Sequence, residues 1–205
     1  MTAPQADTPT TRPTSVESAR RSPSPVYLVS GASGAGKSTV GRALAQRFEY
    51  GVHIDADDVG RMVVSGARPP SLAAWSAEAR NFDTETDRQL ELRYRILCAM
   101  AKTYAENGFA VVVDCFFVTP WVDFCLDQLD GFTVHLVTLE VPRSHRHQRI
   151  LERGTELPVP GFEELVESAL AAEPRSRGLW IDASAEDPEN VVDAILAPAR
   201  QERPG

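Results

Sequence analysis

The sequence predicts an α/β domain built on a parallel sheet, and two observations carry that expectation. Short apolar runs of strand length alternate, from residue 26 onward, with longer segments whose apolar residues recur at helical spacing. A glycine-rich segment, Gly31 to Ser38, stands where the first run gives way to the first helical segment, the kind of strand-to-helix turn whose backbone N–H groups can hold an anion.

The strand runs are Val26 to Val29, Val52 to Ile54, Ala110 to Val113, Val134 to Leu139 and Leu179 to Ile181. Between them, Val40, Leu44 and Phe48 recur every fourth residue, which predicts one amphipathic helix. Leu90, Tyr94, Leu97, Ala101 and Tyr104 alternate steps of four and three and predict another, with Asn107-Gly108 as its stop. There is no internal repeat.

With 205 residues and 42% hydrophobic side chains, the chain can bury one good-sized core. Residues 1–25 are rich in Thr, Ser and Pro and nearly free of large apolar groups, so they cannot offset their own ordering entropy. The expected organisation is a disordered tail over 1–25, one domain over 26–199 and a short C-terminal tail over 200–205.

The formal charge is −8, so the overall field repels polyanions and nucleic acid is not expected as a partner. Cys98, Cys115 and Cys125 have no paired or zinc-type spacing and read as plain thiols in a reducing compartment. No apolar run is long enough to span a bilayer or serve as a secretory signal, so the expected location is the cytoplasm, away from membranes.

The segment Gly31-Ala32-Ser33-Gly34-Ala35-Gly36-Lys37-Ser38 fits Gly-x-x-x-x-Gly-Lys-Ser. Its glycines let successive N–H groups converge on phosphate oxygens. Lys37 adds a mobile positive charge at the β- and γ-phosphates, Ser38 offers a hydroxyl ligand to Mg²⁺, and Thr39 completes the nucleotide-binding set. ATP and Mg²⁺ are the expected cofactors.

Asp55 and Asp57 lie two apart at the end of the second run, so they face the same side if the extended conformation persists. One carboxylate can then stand on the magnesium side, here Asp55, while Asp57 takes the proton of an acceptor hydroxyl. The alternative is helix capping, which suits Asp58 best. Asp114 closes the third run beside the phosphate loop and is a further metal-side candidate, or else a cap for the segment after it.

Past Pro142, Arg146, Arg149 and Arg153 share one face of a predicted helix, followed by Gly154 and a loop from Thr155 to Pro160. Arg149 and Arg153, and after them Arg146, are candidates to stabilise charge on the transferred phosphoryl group; a solvated basic face is the alternative. His145 and His147 read as exposed helix residues. Residues 60–90, with Arg61, Arg68, Arg80, Arg88 and Trp75, are expected to supply the acceptor pocket.

Taken together, Gly31 to Ser38, Ile54-Asp55-Ala56-Asp57, Val113-Asp114 and Arg149-x-x-x-Arg153-Gly154 resemble the small P-loop kinases that phosphorylate metabolite hydroxyls. Shikimate kinase, gluconate kinase and chloramphenicol phosphotransferase belong to that group. The resemblance runs from Val26 to Leu196 and is nearest to chloramphenicol phosphotransferase in the stretch ending at Val159-Pro160-Gly161; Ser65-Gly66 and Trp75 are similar to the acceptor segment of gluconate kinase. It implies a P-loop kinase fold, a five-stranded parallel sheet flanked by helices with a small lid. It also implies Asp57 as the base, Arg149 and Arg153 as lid residues, and a small-molecule hydroxyl as acceptor. Two alternatives remain beside it: a polynucleotide-type or toxin-type kinase, and a nucleotide-gated switch without acceptor chemistry.

Overall fold

The computed structural model describes residues 24–68, 85–158, 160–185 and 187–201. The predicted tails fall almost wholly outside these residues, as do Trp75 and Arg80. Each of the five apolar runs forms a strand: β1 (Val26–Gly31), β2 (Gly51–Asp55), β3 (Ala110–Asp114), β4 (Val134–Glu140) and β5 (Leu179–Asp182). All pair in parallel, in the order β2-β3-β1-β4-β5. The chain thus fills one side of β1 first and then crosses it, opening a crevice at the carboxyl ends of the central strands.

Seven α-helices and a 3-10 turn (Arg175–Arg177) complete the described residues: α1 (Lys37–Ala45), α2 (Ala56–Arg61), α3 (Glu85–Glu106), α4 (Trp121–Gln128), α5 (Arg143–Glu152), α6 (Pro160–Ala172) and α7 (Pro188–Gln201). One core packs α3, α4 and α6 on one face of the sheet, centred on Leu28, Tyr94, Leu97, Val111, Val113 and Trp121. The stacked rings of Tyr94 and Trp121, with centroids 4.5 Å apart, join α3 to α4. A second core packs α1 and α7 on the other face around Val29, Val40, Leu44, Val112 and Val192. No helix of the described residues is long and apolar enough to cross a membrane.

Three sequence expectations shift by a residue or a turn. The α3 stripe buries Leu90, Tyr94, Leu97 and Ala101 as expected, but Ala105 rather than Tyr104 is its last buried position; Tyr104 is 39% exposed and meets Phe109 edge-on. Phe48 packs on the core from beyond the end of α1. The loop after Gly154 is shorter than expected, because α6 already begins at Pro160, where a fixed φ suits the first turn of a helix.

Candidate functional site

The site is assembled where β1 feeds α1. Gly36 caps the helix with φ near 97°, a left-handed conformation costly for any other residue, and so turns the first N–H groups of α1 toward the loop. A Cβ on Gly34 would stand 2.7 Å from the carbonyl oxygen of Arg146, so α5 packs directly on the loop. Lys37 Nζ donates to the carbonyls of Gly31 and Ala32 at 2.9 and 3.2 Å. Burial lowers the pKa of this ammonium, against the opposing pull of Asp114, Asp57 and Asp55.

The sheet register sets Asp55 beside Asp114 at the ends of β2 and β3. Ser38 Oγ donates to Asp55 Oδ2 at 3.3 Å, bringing the first residues of α1 to the same pair of carboxylates. The expected extended spacing of Asp55 and Asp57 does not persist, because the strand stops at Asp55 and α2 starts at Ala56. Asp55, not Asp58, is the cap: its Oδ1 accepts from the backbone N–H of Asp57 at 2.8 Å. Asp58 lies in the first turn, exposed and paired with Arg61.

A cavity of about 540 Å³ opens over these groups, lined by the phosphate loop with Lys37, Ser38, Asp57 and Asp114 on one side. The rest of the lining includes Arg93, Cys115, Phe116, Arg153, Glu156 and Phe162. A second cavity of about 310 Å³ lies beyond Gly36 and Thr39, between Arg149, Ala183, Pro188 and Val191. Arg153 lines both. A larger void of about 790 Å³ touches the loop only at Ala32. Its arginines are already paired with carboxylates of the same lining, Arg143 and Arg146 with Glu167 and Arg175 with Glu140.

The face of α5 carrying the three arginines is turned to the phosphate loop, yet each arginine does something different. Arg146 is buried, bonded to Glu163 at 2.9 Å and to Glu167, and also donates to the carbonyls of Val141 and Ser33. Its role is to fasten α5 to the loop and to α6. Arg149 donates through one nitrogen to the carbonyls of Ala183 and Ser184. A Cβ on Gly36 would meet its other terminal nitrogen at 3.9 Å, so the guanidinium sits over the loop. Arg153 is exposed at the C-cap of α5. His147, expected to be exposed, is half-buried against the Glu163 carboxylate.

The Arg146–Glu163 pair is 3% and 5% exposed. Arg146→Ala takes the buried guanidinium from the carboxylate of Glu163, leaving it the contact with His147 and Arg143 at 4.0 Å, so unfolding free energy should fall by about 3 kcal/mol, read from the urea midpoint.

Of the arginines expected at the acceptor, Arg61 and Arg88 are exposed and lie near Asp58 and Glu85. Arg68 offers its backbone N–H to Gln89. Arg93 takes their place: half-buried on α3 and lying against Gly60, it lines the larger site cavity with no carboxylate paired to it among the described residues. Gly60 lies directly beneath it: a Cβ there would come within 2.6 Å of the guanidinium, which would then have to shift. Cys115, at the cavity wall, is a packing group: burial pushes its thiol up to about 11. All three cysteines are free and buried.

A family model described as an AAA domain matches residues 26–175. No curated protein matches the chain in sequence. Solved structures match over most of its length. A sugar kinase from Janibacter sp. HTCC2649 does so with a TM-score of 0.59 and 22% identity, over 85% of this chain and 94% of that one. For a gluconokinase from Sinorhizobium meliloti 1021 the TM-score is 0.56 and the identity 24%, over 89% and 94%. For shikimate kinase from Acinetobacter baumannii, solved with shikimate, the values are 0.58 and 20%, over 89% and 96%.

Proposed function

The chain belongs to the AAA domain family, and from that premise we propose that it is an ATP-dependent kinase that moves the γ-phosphate to a hydroxyl of a small molecule. The observation that carries this reading is the cavity in which Asp57 faces Lys37 and the phosphate loop. A nucleotide switch needs phosphate and metal ligands; it has no use for a spare carboxylate beside an open cavity walled by Phe116, Phe162 and Arg93. The sugar, gluconate and shikimate kinases named above share the fold and are small-molecule kinases, which supports the same class of acceptor.

In this reading the loop N–H groups and Lys37 hold the β- and γ-phosphates, and the smaller cavity between Arg149 and Val191 receives the base and ribose. The donor set fits magnesium: a hydroxyl and two carboxylates, Ser38, Asp55 and Asp114, all hard oxygen ligands. The described residues contain no group of three or more His, Cys, Asp or Glu able to cage a metal alone, as expected for an ion held partly by the substrate's phosphates. Bound there, magnesium would neutralise charge on the β- and γ-phosphates.

Asp57 orients the acceptor hydroxyl and takes its proton as the oxygen attacks the γ-phosphorus and the bond to the bridging β–γ oxygen breaks, releasing ADP. Arg149 and Arg153 meet the charge that spreads over the phosphoryl oxygens. On the acceptor side, Phe116 and Phe162 offer apolar walls and Arg93 one cation. A hydroxylated compound with an apolar body and an anionic or strongly polar substituent matches that lining.

The reading is tested by screening hydroxylated metabolites, sugars and antibiotics for acceptor-dependent ADP release. Nucleotide binding with no acceptor stimulating turnover would favour the switch. Arg149→Ala and Arg153→Ala should each lower kcat more than they weaken ATP binding, because their contribution is to charge that develops in the transition state. Unchanged kcat in both variants would leave these two arginines with no part in the chemistry.

A further inference from the structure

The row of side chains that β2 and β3 turn toward α1 contains an unexpected member. Val112 is buried there in the apolar core, and Asp55 and Asp114 end the two strands. Between them stands His53, whose strand partner is Val112. Its side chain is 11% exposed, and its Nε2 lies 2.8 Å from Asp114 Oδ2, a carboxylate only 4% exposed. Asp114 Oδ2 can only accept, so Nε2 carries the hydrogen and donates it.

The room for this imidazole comes from α1. A Cβ on Gly41 would stand 2.9 Å from both Cδ2 and Nε2 of His53, closer than non-bonded atoms pack. The chain therefore places a glycine inside a helix, where it is costly, and a histidine inside the packed face of a sheet. What the two achieve together is one hydrogen bond to one oxygen of Asp114. Asp114 also lines the cavity above the phosphate loop, on the far side of that bond.

We propose that His53 is a positioning residue for the magnesium side of the site: its Nε2–H engages Asp114 Oδ2 and leaves Asp114 a single oxygen to offer. This rests on the kinase reading, in which Asp114 is a metal-side group. A carboxylate with one oxygen tied back is a one-point donor, which suits the compact octahedral shell of Mg²⁺. A carboxylate with both oxygens available suits Ca²⁺, which accepts bidentate ligands. Hydrogen bonds to ligating carboxylates of this sort are worth roughly 10- to 100-fold in metal affinity.

The experiment is calorimetric titration of MgCl₂, and separately CaCl₂, into the full chain saturated with ADP, with thermal unfolding of each variant alongside. His53→Leu removes the donor and should weaken Mg²⁺ by roughly 10- to 100-fold while Ca²⁺ changes little, so that the preference between the ions collapses. His53→Gln, whose amide nitrogen can stand in for Nε2, should restore most of the Mg²⁺ affinity. Gly41→Ala displaces the imidazole without touching it chemically and should weaken Mg²⁺ in the same way even where the fold is as stable as the unaltered chain. That variant decides the matter should His53→Leu fail to fold. Equal Mg²⁺ affinity in the unaltered chain and in Gly41→Ala or His53→Leu would overturn the role of His53 and leave the kinase reading standing. Absence of any magnesium-dependent ADP binding by the unaltered chain would overturn the reading beneath it as well.

Discussion

With Lys37 replaced by Met, kcat for phosphoryl transfer is expected to fall by roughly 10³-fold or more, while the fold survives. The loss follows from position: Nζ hangs beside the glycine loop on the carbonyls of Gly31 and Ala32, from which it can turn to the β- and γ-oxygens of a bound nucleotide. The survival follows from burial. A desolvated ammonium whose pKa is lowered in the folded state binds its proton less readily than in the unfolded chain. Between the lowered value and the ordinary lysine value the unfolded chain holds more protons, so nucleotide-free stability should rise with pH through that window. Lys37→Met should erase this rise and leave the unfolding temperature at neutral pH equal to or above that of the unaltered chain. Rapid-quench turnover and thermal unfolding at several pH values check the two halves. Near-normal turnover in the variant would remove the loop from the chemistry.

Asp57→Asn should lower acceptor phosphorylation by roughly 10²- to 10⁴-fold, the usual worth of a general base, with ATP affinity little changed. The amide keeps the shape of the carboxylate and cannot take a proton at neutral pH. Its neighbours sharpen the prediction. Asp55 spends Oδ1 on capping α2 and Oδ2 on Ser38, and Asp114 gives Oδ2 to His53. Asp57, by contrast, reaches the cavity from an exposed first turn of helix. Turnover with an identified acceptor and nucleotide affinity by calorimetry are both required. A variant that lost ATP binding instead would move Asp57 to the metal side and leave the base unassigned.

The features of the fold and of the site differ greatly in how far the sequence discloses them. The strands and the phosphate loop are local: a run such as Ala110 to Val113, buried on both faces, must be apolar throughout, and the loop needs its glycines at fixed offsets. Hence the five strands appear where the apolar runs stand. The capping aspartate was misplaced because three acids within four residues each satisfy the composition rule, and only the backbone at Asp55, extended with ψ near 121°, selects the first of them.

Arg93 and His53 were missed for a different reason. Each lies against a glycine on another element, Gly60 and Gly41, and no spacing rule joins residues 33 or 12 positions apart through space. A faint signal did exist for His53: together with Asp55 it puts polar groups at alternate positions of a strand whose intervening residue, Ile54, is apolar. Arg146 was grouped with Arg149 and Arg153 by helical period alone, which gives the shared face and says nothing of the Glu163 and Glu167 that occupy it.

The clamp at Arg146 also sets a scale for motion. It ties the start of α5 to Ser33 and α6 together, whereas Arg153 stands at the exposed far end of the same helix, seven residues and about 10 Å along its axis. Any rearrangement that lowers Arg153 onto a phosphate must therefore pivot beyond Ile150, which is buried against the loop, leaving a lever of only a few residues. A short lever swings quickly: loop movements of that size fall in the nanosecond-to-microsecond range, against microseconds to milliseconds for whole-domain hinges. Closure over the phosphates is thus expected to keep pace with chemistry, so that ordinary solvent viscosity should leave kcat nearly unaffected unless release of product is the slow step.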